Sequence, residues 1–138
     1  MAAINAILMV EDSPDDREIA MRAFRKARVN NTIFYVEDGD TAICWLKGQG
    51  IYADRERFPL PGIMLIDLMM PKVNGFELLE WIAAQPEFKS ILLVVLAGQR
   101  ELREVNRAYS LGARSFLQKP LHEHDILNLR QGFPGYWI

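Results

Sequence analysis

The chain has 138 residues, half of them hydrophobic and a quarter charged, with a net charge of −2. These figures predict one globular domain over 1–138 with a core of its own, and they exclude an electrostatic case for nucleic acid or an anionic membrane. The longest apolar stretch, Ile91 to Gly98, is too short to span a bilayer, and no secretory leader pattern is present. Cys44 is the lone cysteine, which excludes a disulfide framework. A reducing, cytoplasmic setting is expected, with Cys44 a small buried hydrophobe.

Five strands alternate with five helices. The first strand spans about Ala6 to Val10, and Ser13-Pro14 starts a helix, because Ser caps well and Pro is tolerated in the first turn. Asp15, Asp16 and Glu18 suit that N-terminus and Arg25, Lys26 and Arg28 the far end, while Ala20, Ala23, Phe24 and Ala27 mark the buried face. Thr32 to Val36 is β-branched and aromatic, hence strand two. A helix follows from Gly39-Asp40 to about Lys47, with Ala42, Ile43 and Leu46 inward. Gly48 to Pro61 is a long connector to which no regular structure is assigned.

Ile63 to Ile66 lacks alternation, as a central parallel strand covered on both faces should. Pro71 and Asn74-Gly75 mark the next loop, and Phe76, Leu79, Ile82 and Ala83 share one face of helix three. Strand four is Ile91 to Leu96, and helix four is Glu101 to Leu111, with Leu102, Val105 and Tyr109 on one side and Gly112 as its stop. Strand five is Ser115 to Gln118. Helix five starts after Pro120 and should end near Arg130, leaving an aromatic tail of Phe133, Tyr136, Trp137 and Ile138. Strands and helices in this alternation imply right-handed crossovers and a parallel sheet.

Three of the strands run into charge: the first into Glu11-Asp12, the third into Asp67, the fifth into Lys119-Pro120. In a parallel sheet these groups meet at the C-terminal edge, where open α/β sheets bind ligands. Carboxylates so close repel unless a cation is present, and Mg²⁺ suits a few oxygens with several waters. A metal and a lysine around a nucleophilic aspartate make a phosphoryl-accepting site, since that transfer is largely positioning and charge stabilisation.

Glu11-Asp12, Asp67 within IMLIDLMMPKVNG and Lys119 within GARSFLQKP resemble the signature of response-regulator receiver domains, across about Ile4 to Arg130. The resemblance implies a flavodoxin-like, doubly wound sheet of order 2-1-3-4-5 with five helices. It makes Asp67 the acceptor of a phosphoryl group from the phosphohistidine of a sensor kinase. Asp12, Asp67 and the backbone carbonyl of Met69 would ligate Mg²⁺, Glu11 would assist through water, and Lys119 would pair with the phosphoryl group. Output would be protein–protein contact, with no enzymatic activity beyond Mg²⁺-assisted self-phosphorylation and self-dephosphorylation. The connector and the aromatic tail are similar to those of stand-alone receivers that accompany bacterial phytochrome-type kinases. Pairing of two copies would use the helix 4–strand 5–helix 5 face or the tail.

One position departs from the family. Where strand four of a typical receiver ends in Thr or Ser, this chain has Ala97, although Gly98 can still offer its backbone N–H. Phe116 stands at the family's switching aromatic, and with Ala97 beside it the ring could turn inward without phosphate. Met69 and Gln99 occupy the positions that flank the hydrolytic water, which predicts slow to moderate self-dephosphorylation. A receiver that acts without phosphate is therefore the alternative. An aspartate-nucleophile hydrolase would carry a second aspartate where Met69 stands, and a flavin carrier would not place six residues as acidic as EDSPDD in its phosphate loop. His122 and His124, spaced i, i+2, should not share a helix face and predict no metal site. Tyr136 and Trp137 should fold back on the domain or pack on a partner.

Overall fold

Apolar runs without alternation require cover on both faces, and the chain meets that need with a central sheet between two helical layers. The structure is a computed structural model that describes residues 5–70 and 73–138. Pro71, a predicted loop residue, and Ile4 lie outside them. The strands are β1 (Ile7–Val10), β2 (Ile33–Val36), β3 (Ile63–Asp67), β4 (Leu92–Ala97) and β5 (Ser115–Gln118). The helices are α1 (Pro14–Lys26), α2 (Gly39–Lys47), α3 (Gly75–Ala83), α4 (Leu102–Ser110) and α5 (Glu123–Gly132). All strand pairs are parallel, in the order β2-β1-β3-β4-β5. This is the flavodoxin-like arrangement expected from the resemblance.

The pleat sorts the core into two halves. Leu8, Val10, Met64 and Ile66 face one layer with α2, α3 and α4. Ile7, Met9, Ile63 and Leu65 face the other with α1 and α5. The caps are those the sequence announces. Ser13 Oγ accepts from Asp16 N at 3.2 Å to start α1, and Asn74 and Glu77 close a reciprocal capping box on α3. Gly75 matters at this end of the sheet, because a Cβ there would meet Asp67 O and Leu68 Cα at 2.7 Å.

Several expectations need correction. The connector after α2 contains a 3₁₀ turn, Gly50–Ala53, and folds its Tyr52 and Phe58 rings onto the buried Trp45. Arg55 fastens it by donating to the carbonyls of Trp45 and Leu46 at the end of α2. On α4 the buried residues are Val105 and Ala108, whereas Leu102 is 75% exposed and Tyr109 is 43% exposed. At about 100° per residue, Leu102 and Tyr109 lie about 90° and 70° from the centre of the inward face. On α3 Leu78 is buried and Ala83 exposed, and Cys44 is half-buried. Helix α5 runs on to Gly132, beyond Arg130.

The aromatic tail folds back across the sheet's N-terminal end. Buried Asn31 donates to Asn5 O and to Tyr136 O, and its Oδ1 accepts from Ile138 N at 2.8 Å. Trp137 Nε1 donates to Phe133 O at 2.9 Å. No helix among the described residues is long and apolar enough to cross a membrane.

Candidate functional site

The C-terminal strand ends place the charged residues side by side. Val10 and Ile66 are register partners on neighbouring strands, so Glu11 and Asp67, the next residue on each chain segment, emerge together. Lys119 follows β5, its N–H donating to Ala97 O at 2.8 Å, and the Lys119–Pro120 peptide is cis. Its Nζ lies 2.8 Å from Glu11 Oε1, 2.9 Å from Asp16 Oδ2 and 3.0 Å from Asp67 Oδ2.

Glu11 is only 1% exposed, and Asp67 is buried as well. Ser13 N donates to Glu11 Oε2 at 3.2 Å, and Arg17 holds the Glu11 carbonyl at 2.9 Å. Glu11 Oε1 is paired in charge with Lys119 but has no donor aligned on it for a hydrogen bond. Burial pushes the Glu11 carboxyl from 4.5 up to about 7, with Asp67 adding to the rise and Lys119 opposing it. Burial alone would lower the Lys119 ammonium. Its close pairing with Glu11, Asp16 and Asp67 outweighs that and holds it above the usual lysine value.

Glu11, Asp12 and Asp67 offer carboxylate oxygens that all lie within 4.8 Å of one another. Asp12 is the exposed member and forms the open side. Three hard oxygens, one of them buried without an aligned donor, fit a hard divalent cation. Met69 N donates to Asp67 Oδ1 at 3.1 Å, while the Met69 side chain is 75% exposed. Gly98 and Gln99 are exposed on the loop after β4, and a Cβ built on Gly98 would meet nothing within 4 Å.

Phe116 is 2% exposed, and Ala97 is buried at the end of the neighbouring β4. Arg100 Nη1 donates to Phe116 O at 2.7 Å and its guanidinium stands 5.6 Å from the ring centroid. The loop between β4 and α4 is thereby tied to β5. His122 is the cap residue before α5, not a helical residue, so its ring can stack on His124 at 5.4 Å. That stacking departs from the expectation of separate faces.

The sequence reading missed two site residues. Asp16 reads as a helix-dipole acid, yet it is a direct partner of Lys119. The signal available was its place one turn into the helix that leaves the β1 edge. Arg100 carried no signal, since its partner is a backbone carbonyl.

The family model for the response regulator receiver domain matches residues 7–130. The chain belongs to that family. Receivers are signalling proteins, and the relatives narrow the group. Response regulator Rcp1 of Synechocystis sp. (strain ATCC 27184 / PCC 6803 / Kazusa) is 31% identical over 132 residues, covering 96% of this chain and 88% of Rcp1. A solved Mn²⁺-bound form of Rcp1 superposes with a TM-score of 0.75 at 31% identity, over 92% of this chain and 89% of that one. The bacteriophytochrome response regulator RtBRR gives a TM-score of 0.86 at 30% identity, over 98% of this chain and 81% of its own. The phosphorylated cyanobacterial phytochrome response regulator RcpA gives 0.79 at 27% identity, over 98% of this chain and 94% of its own. This receiver is thus similar to the phytochrome-associated response regulators.

Proposed function

We propose that this receiver accepts a phosphoryl group on Asp67 from the phosphohistidine of a histidine kinase, of the phytochrome-associated kind, and signals in the cytoplasm by protein–protein contact. The observation that carries this is the Lys119 ammonium 3.0 Å from Asp67 Oδ2, beside three carboxylates clustered within 4.8 Å. An Asp67 oxygen attacks phosphorus, the bond from phosphorus to the imidazole nitrogen breaks, and the imidazole leaves with the electron pair. Lys119 offsets the charge that builds on the phosphoryl oxygens, and the Gly98 N–H would donate to them.

Asp12, Asp67 and the Met69 carbonyl, with Glu11 through water, would hold Mg²⁺. When bound, that ion neutralises carboxylate and phosphoryl charge during transfer. The Mn²⁺-bound Rcp1 and the phosphorylated RcpA support both parts of this reading by similarity. Met69 and Gln99 border the path of a hydrolytic water, and the α4–β5–α5 face or the aromatic tail would contact a second copy or an output partner.

One observation favours the alternative, a receiver whose output is independent of phosphate. Ala97 supplies no hydroxyl, and Phe116 is already inward with Arg100 fastened to its carbonyl. Intact-mass measurement after incubation with Mg²⁺ and acetyl phosphate separates the two. A single phosphoryl adduct, lost in Asp67→Asn, is the expected result; no adduct, also with a phosphorylated kinase as donor, moves the reading to the alternative.

A further inference from the structure

Asp16 sits at the third position of α1, where a carboxylate ordinarily reaches back to the cap residue's N–H. Here Glu11 takes that bond, because Ser13 N donates to Glu11 Oε2 at 3.2 Å. Ser13 Oγ still holds Asp16 N at 3.2 Å, so the backbone of Asp16 is fixed while its carboxylate is released. That carboxylate reaches Lys119 Nζ at 2.9 Å. Asp16 is not among the three residues whose oxygens cluster for a cation.

An ammonium has three N–H donors. Glu11, Asp16 and Asp67 stand at 2.8, 2.9 and 3.0 Å from Lys119 Nζ, so three carboxylates ring the ammonium, and Asp16 accepts a well-aligned hydrogen bond from it. A phosphoryl group arriving at Asp67 must displace one of these carboxylates from the ammonium. Glu11 and Asp67 can turn to a divalent cation, but Asp16 lies outside that cluster and keeps its hold on the ammonium. We propose that Asp16 is an electrostatic brake on phosphoryl acceptance: it competes with the incoming phosphoryl group for Lys119 and repels its negative charge. Two hydrogen bonds that diverge at the tetrahedral angle of Nζ put the Asp16 carboxylate about 5 Å from phosphoryl oxygens on the same ammonium. Like charges at that separation, with partial screening, slow acceptance roughly tenfold. The brake weighs most on small free donors, whose binding rests on charge alone, and least on a kinase that also contributes protein contacts.

The proposal rests on Asp67 being the acceptor. Its test uses acetyl phosphate with saturating Mg²⁺: an Asp67 oxygen bonds to phosphorus, the phosphorus–oxygen bond to acetate breaks, and acetate leaves with the electron pair. The initial rate at subsaturating donor is read by intact mass for the wild type, Asp16→Asn and Asp16→Ala. Both variants should accept roughly tenfold faster, with Mg²⁺ affinity unchanged or weaker, and the gain should shrink at high salt. Asn keeps an oxygen that Lys119 can bond and Ala does not. If Asp16 instead aims the ammonium, Ala will be slower than Asn and slower than wild type. Equal or slower acceptance in either variant overturns the brake while leaving Asp67 as acceptor. No adduct in any of the three proteins overturns the acceptor reading and the brake with it.

Discussion

Burial of Glu11 makes stability depend on pH in a defined direction. The residue is 1% exposed, and its carboxyl rises from 4.5 to about 7 on folding. A carboxyl with a higher folded than unfolded pKa binds protons preferentially in the native state. Its stabilising contribution is therefore complete below 4.5 and is lost as pH rises to about 7. At about 1.4 kcal/mol per pH unit, that displacement amounts to about 3 kcal/mol. Lys119 stays protonated throughout this window, because its own pKa moves upward. Urea denaturation in EDTA at pH 5 and pH 8, for wild type and Glu11→Gln, isolates the Glu11 contribution. The wild type should lose about 2–3 kcal/mol more than the variant over this range, and millimolar Mg²⁺ should restore much of it at pH 8. A difference between the two proteins that stays flat with pH would refute the assignment of the loss to Glu11.

Replacing Lys119 with Met leaves the buried Glu11 and Asp67 without their shared ammonium. Acetyl phosphate labelling should fall by about 10²–10³-fold, and a rate near wild type would remove Lys119 from the account. Asn31→Ala deletes the side chain that holds Asn5, Tyr136 and Ile138. We expect a loss of about 1–3 kcal/mol, measured by urea denaturation, together with faster carboxypeptidase trimming of the tail; unchanged trimming contradicts the folded-back arrangement. Phe116 should keep its inward ring with and without beryllofluoride, as read by ¹⁹F NMR of a fluorophenylalanine-labelled protein, and Arg100→Ala should loosen it. A large swing on adding beryllofluoride contradicts the weak coupling expected from Ala97.

Strands were legible because burial on both faces removes alternation, as Ile63 to Ile66 illustrates. Glu11, Asp67 and Lys119 were legible for a related reason. A charge that ends an apolar run must lie at a sheet edge, and parallel strands bring those edges together. Asp16 was not, since an acid in a first helical turn satisfies the helix dipole and asks for no other partner. Leu102 and Tyr109 misled because apolar spacing alone does not fix where an inward face is centred, and Val105 and Ala108 fill the space beside β5. Trp45 with Tyr52 and Phe58 depends on a contact between a helix and a connector without periodicity, which residue spacing does not encode.

The central claim is that Asp67 carries the phosphoryl group. Borohydride reduces an aspartyl phosphate to homoserine, so reduction after incubation with Mg²⁺ and acetyl phosphate marks the acceptor, and tandem mass spectrometry of the peptide locates it. The account predicts homoserine at position 67 and nowhere else. Homoserine at position 12 or 16 with Asp67 intact, or no conversion in a protein that has gained phosphoryl mass, would contradict it.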